Sequence, residues 1–281
     1  MSTFNLSMFE SIKEALTSED KQKTSGLGDI LQLKAGNTYT VRILPNVKNP
    51  KDIFFHHFVH GWTSFETGKY VSALSPITYG ERDPIAEERY KILRMGTEEE
   101  KEKVKAIRRT EQWFVNIYVV DDPANLDNNG KIKVLRYGKQ LHNIINNAIA
   151  GEDAEEYGAK IFDLGSNGVN FKIKVEKQGD YPVYTSSRFT GVGKDLGLSK
   201  DKQEEIYNSI IDLKSIYRLK SADELKQMLD EHYFCKSTEP ETEAKLPEAD
   251  EAIAELSTKK VAAPAPAEIE DADIDELLKD L

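Results

Sequence analysis

Apolar and polar residues alternate with a period of two between positions 108 and 120, the spacing of a half-buried β-strand. Trp113, Val115, Ile117 and Val119 share one face, and Phe114, Asn116 and Tyr118 share the other, which leaves two aromatic rings opposite the expected core. Arg108 and Arg109 give the strand a basic entry. After a turn-rich loop at 121–130, a second strand is predicted over 131–139, carrying Lys131, Lys133, Arg136 and Lys139 together with Tyr137.

The same reading places strands on either side. Residues 38–44 alternate Tyr39, Val41 and Ile43 against Thr38, Thr40 and Arg42 and stop at Pro45, which cannot continue a ladder. A nearly continuous apolar strand follows at 52–62, and 168–175 sets Val169, Phe171, Ile173 and Val175 against Lys172 and Lys174. Helical spacing marks 84–109 as two pieces broken at Gly96, and 140–149 as a short helix through Leu141, Ile144, Ile145 and Ile149. Tyr181, Tyr184 and Arg188 fall in a predicted loop, where aromatic rings have less structural reason to be. Ile206, Ile210, Leu213 and Tyr217 predict one amphipathic helix, and Ser221 with Glu224 predicts a capping box for another through Leu225, Met228, Leu229 and Tyr233.

Both ends differ from this body. Residues 7–16 have the spacing of a short helix (Met8, Phe9, Ile12, Leu16), followed by a polar tether. From Ser237 onward there is no aromatic residue, and Pro, Ala, Glu and Asp dominate, a composition that cannot bury enough surface to fold. The segment ends in a helical face of Ile274, Leu277, Leu278 and Leu281, the shape of a partner-binding motif.

Charge changes the picture once it is located. The 281 residues carry a formal charge of −11, but 239–281 alone hold 14 acids and 4 bases, so the body is close to neutral. From 103 to 142 there are eight Lys/Arg against four Asp/Glu, and from 171 to 194 five against two, so two segments could line one positive groove. A 39% hydrophobic content supports a real core. The single Cys235 rules out an intrachain disulfide framework and fits a reducing cytoplasm. No apolar run approaches a membrane span, and 1–10 lacks the regions of a signal peptide.

Cations for phosphates and flat rings for bases are what an unpaired nucleic-acid strand requires. On that chemistry the candidate phosphate contacts are Arg108, Arg109, Arg136, Lys139, Lys172, Lys174 and Arg188, and the candidate rings are Trp113, Tyr118, Tyr137, Tyr181 and Tyr184. For either strand alone the competing reading is an ordinary hairpin whose rings are core. An enzyme reading would use Asp83, Glu99 and Lys101 as a metal-dependent nuclease site, although 98–103 reads more simply as a solvated helix. A further alternative is an acidic scaffold or RNA-binding regulator.

Taken in order, Val41-Arg42-Ile43-Leu44-Pro45, His60-Gly61, Arg108-Arg109-Thr110 with Trp113 and Asn116-Ile117, Val119-Val120 with Asp122-Pro123-Ala124, Arg136-Tyr137-Gly138-Lys139, Asn170-Phe171, Tyr181 with Tyr184, and the closing Asp275-Glu276-Leu277-Leu278-Lys279-Asp280-Leu281 form a pattern. It resembles the single-stranded DNA-binding proteins of T-even-type bacteriophages, the helix-destabilising proteins of their replisomes. The resemblance implies an α+β fold: an OB-fold-type antiparallel β-barrel with helical additions over 21–236, with an insert at 71–109. It also implies a self-association arm at 1–20 and a disordered acidic tail at 237–281 that recruits replication and recombination proteins. By position it places Arg108, Arg109 and Trp113 in the groove and matches Tyr181 and Tyr184 to the family's ring pair. The family's ring on the intervening strand aligns nearer Leu135 than Tyr137.

Two departures accompany it. The family's zinc site, a His and three Cys, falls where this chain has Ala73, Asp83 and Ala86, so no zinc is expected. His56 and His60 offer a His-x3-His spacing, alongside His57, but nothing completes a ligand set. The opening Met1-Ser2-Thr3-Phe4-Asn5-Leu6 also lacks the family's basic start.

Overall fold

The computed structural model describes residues 28–179, 181–191 and 195–236. The arm at 7–16 and the tail motif of Ile274, Leu277, Leu278 and Leu281 lie outside the described residues. The fold is α+β. Strands β1 (Thr38–Ile43), β2 (Phe54–Thr63), β3 (Tyr70–Leu74), β4 (Arg109–Asp121), β5 (Ile132–Tyr137) and β6 (Phe171–Lys174) precede a two-stranded hairpin, β7 (Glu176–Gln178) with β8 (Tyr181–Val183), and a short β9 (Arg188–Phe189). The main sheet runs β3-β2-β4-β1-β6-β9, with β5 also on β4, and its pairings are antiparallel. Its outer strands do not meet, so the described strands form an open sheet rather than a closed barrel. The predicted loop carrying Tyr181 is in fact the β8 arm of the hairpin.

β4 organises the sheet because it is long enough to hold three partners. One of its edges pairs with β2 through 109–115 and with β1 through 117–121, while the other pairs with β5 through 113–118. The predicted inward face holds: Trp113, Val115, Ile117 and Val119 join Tyr39, Val41, Ile43, Phe171 and Ile173 in the largest core cluster. Helix α3, Lys139–Ala150 in a numbering where α1 is Pro84–Met95 and α2 is Glu98–Val104, closes that core with Leu141, Ile145 and Ala148.

The opposite face is not open, and here the sequence expectation is corrected. Phe114 is buried with Phe55, Leu213 and Ile216, and Tyr118 with Leu44, Leu164 and Ile206. Each burial of a large apolar side chain is worth about 1.5–3 kcal/mol, so two further clusters explain why β4 has no wet face. The covering layer comes from helix α4 (Lys200–Asn208) and the chain after it. The single helix expected through Tyr217 stops at Asn208 because Asn116 takes over the backbone beyond it. The Asn116 amide donates to Ile211 O at 2.8 Å, and Ile211 N donates to Asn116 Oδ1 at 3.0 Å. A buried amide paired at both ends is held at little net cost.

A fourth cluster gathers Trp62 and Ala73 from β2 and β3, Ile85 from α1, Val104 from α2, and Leu225, Met228 and Leu229 from helix α5 (Ala222–His232). The break at Gly96 is as predicted. Ser221 and Glu224 form the predicted capping box, and Thr97 with Glu100 forms a second one at the start of α2. Asp83 caps α1 by accepting from Ile85 N at 3.0 Å and Ala86 N at 3.1 Å.

Candidate nucleic-acid interface

Strand register brings a set of rings together on the inward face of β4. Trp113 stands opposite Tyr137 on β5 and opposite His56 on β2, since residues directly across a ladder share a face. His56 stacks on Trp113 with centroids 4.8 Å apart and planes 14° apart, and His142 of α3 stacks on it at 4.0 Å and 12°. Tyr137 continues the parallel set, 6.1 Å from Trp113. On β2 the ladder extends to Phe58, 4.9 Å from His56, and the Arg109 guanidinium lies 4.6 Å above the Phe58 ring. Such a cation over a ring face contributes about 0.5–1 kcal/mol at an exposed site.

Exposure divides these rings. Trp113 is 6% exposed and Tyr137 4%, whereas the His56 side chain is 46% exposed and is held by Glu111 through a 2.8 Å contact from Nε2 to Oε1. Burial lowers the His142 pKa, with Glu111 acting the other way. Burial raises the Tyr137 pKa, and among the described residues its hydroxyl has no hydrogen-bond partner. A buried hydroxyl left unpaired costs about 1–3 kcal/mol.

The sequence-predicted cations fall into two groups. Arg109 lies beside the ladder, and Lys139 is exposed at the first turn of α3, a helix start with no side-chain cap and no acid in that turn. Arg108 is half-buried next to Arg109. Lys172 and Lys174 alternate with the core residues Phe171 and Ile173 and therefore point to the other side of the sheet, Lys174 paired with Glu176 at 2.7 Å. Arg188 is exposed directly across from Lys172. Arg136 faces away too, opposite Phe114, with Nη1 3.4 Å from the Tyr217 hydroxyl. The cations therefore divide between the two sides, Arg109 beside the rings and Arg136, Lys172, Lys174 and Arg188 on the opposite face.

The predicted tyrosines also separate. Tyr184 packs against the main core, and its backbone N–H donates to Gln140 Oε1 at 3.0 Å, which ties the segment after the hairpin to α3. Tyr181 is 44% exposed on β8. Tyr118 is core, covered by the second layer. Sequence reasoning missed His56, Phe58, Glu111 and His142. The first two were visible only as an apolar run or as metal candidates, although their period-two spacing on β2 is the same signal that marked Trp113.

The positions matching the family's zinc ligands do not fit a zinc ion. Ala73 and Ala86 carry no donor atom. His60 Nδ1 donates to Ile107 O and its Nε2 bonds Asp83 Oδ2, both at 2.9 Å, while Ser75 Oγ donates to the same Asp83 oxygen. Asp83 is pulled in two directions: burial raises its pKa, but the bonds from His60, Ser75 and Ala86 outweigh that and lower it. His56 and His60, four residues apart on one strand, are separated by about 13 Å of strand rise and cannot share an ion. No group of three or more His, Cys, Asp or Glu is placed to hold a metal among the described residues. Glu99 and Lys101 sit on α2, where Lys101 pairs with Glu98 at 2.8 Å, while the buried Asp83 is bonded to His60 and Ser75. No described helix is long and apolar enough to cross a membrane.

Residues 34–232 match the family described as gp32 DNA binding protein like. The chain is 27% identical over 198 residues to the single-stranded DNA-binding protein of Enterobacteria phage T4, a match covering 68% of this chain and 64% of that protein. It is 27% identical over 220 residues to the single-stranded DNA-binding protein of Enterobacteria phage T2, covering 76% and 70%. The matched region therefore spans a little under two thirds of the T4 relative. Because the family match takes in every strand and helix described above, the chain belongs to the gp32 DNA-binding-protein-like family.

Proposed function

We propose that the protein binds single-stranded DNA without reading its sequence, coating and protecting strands exposed in phage DNA replication, recombination and repair. The observation that supports this best is the ring ladder of His56, Trp113 and His142 flanked by Arg109 and Lys139. Ring faces accept any base, and the cations meet the backbone that every strand shares. The relatives in phages T4 and T2 carry the same activity in their names. In this reading the open sheet serves as an OB-type scaffold, and the protein is a binder that needs no metal and performs no catalysis. The segment 1–20 acts in self-association along the strand, and the tail, net −10 over 239–281, recruits replication proteins.

The test is a titration of labelled single-stranded and duplex oligonucleotides at several salt concentrations. Tighter binding to the single strand, with log K falling linearly against log salt, is the expected result. Equal affinity for duplex, or none for either, overturns the proposal.

A further inference from the structure

We propose that His56 is the ring an unpaired base meets, and that Trp113 stands behind it as its support; this rests on the single-stranded DNA reading above. Trp113 lies between two neighbours. β2 and β5 pair with opposite edges of β4 at Trp113, so His56 comes from one side and His142, on the helix that follows β5, from the other. Stacked at 14° and 12° from the indole plane, they leave it 6% exposed, too little for a base to lie on it. His56 closes this stack from outside. Among the described residues no strand pairs with β2 at His56 on the side away from β4, because β3 begins its pairing only at Val59. Its side chain keeps 46% of its exposure.

The surroundings fit a nucleotide. Glu111 fixes the imidazole through a 2.8 Å contact, so the ring is oriented before any ligand arrives. Phe58 flanks His56 at 4.9 Å and carries the Arg109 guanidinium on its own face at 4.6 Å. A base on His56 therefore has, over the neighbouring Phe58 ring, a cation for its phosphate, and rings combined with cations are what single-strand grooves use. An acidic residue in such a groove has no use against phosphate; here it is a positioning residue for the ring.

The test compares two labelled strands of equal length, oligothymidylate and the same backbone with abasic sites throughout. The quantity read is the ratio of their affinities. For His56→Ala the ratio falls by about 5- to 150-fold relative to the wild type, the loss of one base stack, with the salt slope unchanged. His56→Phe, which keeps a ring and loses the contact with Glu111, restores it. Equal weakening on both strands, an unchanged ratio, or failure of His56→Phe to restore it overturns the proposal. A wild type that binds neither strand removes the single-stranded DNA reading itself, a different result from any of these. Because His56 is exposed, its truncation opens no core cavity, and coincident thermal melts of the variants with wild type check this.

Discussion

Part of the stability this fold loses in acid should pass through one residue, His57. The ring is fully buried on the outward face of β2, stacked on Phe55 with centroids 5.2 Å apart and 4.3 Å from Phe114. Nδ1 donates to Phe55 O at 3.2 Å, and Nε2 has no partner among the described residues, which is the arrangement of a neutral imidazole. Burial lowers its pKa from 6.5 to about 4, the charges of His56 and Arg136 add to that, and the Phe55 carbonyl opposes it. A depressed His pKa means the unfolded chain binds the proton first. The stability is therefore whole above pH 6.5 and is lost as pH falls from there to about 4, with no further loss from this group below. A shift of that size corresponds to about 3 kcal/mol, a large part of a typical domain's stability. The assay is urea unfolding at intervals from pH 7.5 to 4 for the wild type and for His57→Phe, which keeps a flat ring against Phe55 and Phe114. His142, also lowered by burial, titrates in both proteins and cancels in the comparison. The wild type should lose about 3 kcal/mol more than the variant across the window. Parallel losses in the two proteins refute the account.

Tyr137→Phe removes a buried hydroxyl that has no partner among the described residues, so it should raise stability by about 1 kcal/mol or leave it level while binding of single strands persists; a clear fall in melting temperature would show that the hydroxyl is bonded. The purified protein should fold without stoichiometric zinc, since Ala73 and Ala86 carry no donor atom and His60, Asp83 and Ser75 bond one another there; elemental analysis giving one zinc per chain, lost with the fold on chelation, contradicts this. Removing 239–281 should strengthen binding of single strands at low salt and much less at high salt, because a tethered segment of net −10 competes with phosphate and is screened by ions. A truncated protein that binds no more tightly at low salt refutes the competition.

Much of the scaffold was legible because local rules decided it. Alternation placed Trp113, Val115, Ile117 and Val119 together, and Phe171 and Ile173 against Lys172 and Lys174; the Ser221 capping box and the helix around Leu141 and Ile145 also held. Period two says which residues share a face but not what packs on it, so the burial of Phe114 and Tyr118 was invisible. The end of α4 was equally hidden, since it depends on a bond from Asn116 to a residue 95 positions away. The candidate site was half legible. Summing charge along the chain joined Lys172 and Lys174 to Arg109, although the alternation already read on β6 turns those lysines to the far side. His56 needed the register of β2 against β4, which no short window contains.

The helix α5 has a consequence for how the chain becomes this fold. With Tyr233 just after it, it supplies Leu225, Met228 and Leu229 to a cluster otherwise built from residues between Trp62 and Ile107, and Trp62 Nε1 and Phe65 N both donate to His232 O, at 3.3 Å and 2.9 Å. During synthesis that cluster has no lid until the ribosome has passed its last described helix, so apolar surface on β2, β3 and α1 stays uncovered while the rest of the sheet assembles. Contacts that distant in sequence form late, because their loop closure must be met before they return any energy. A nascent chain halted before residue 222 would carry an open hydrophobic face that invites aggregation, and one released after residue 236 would not.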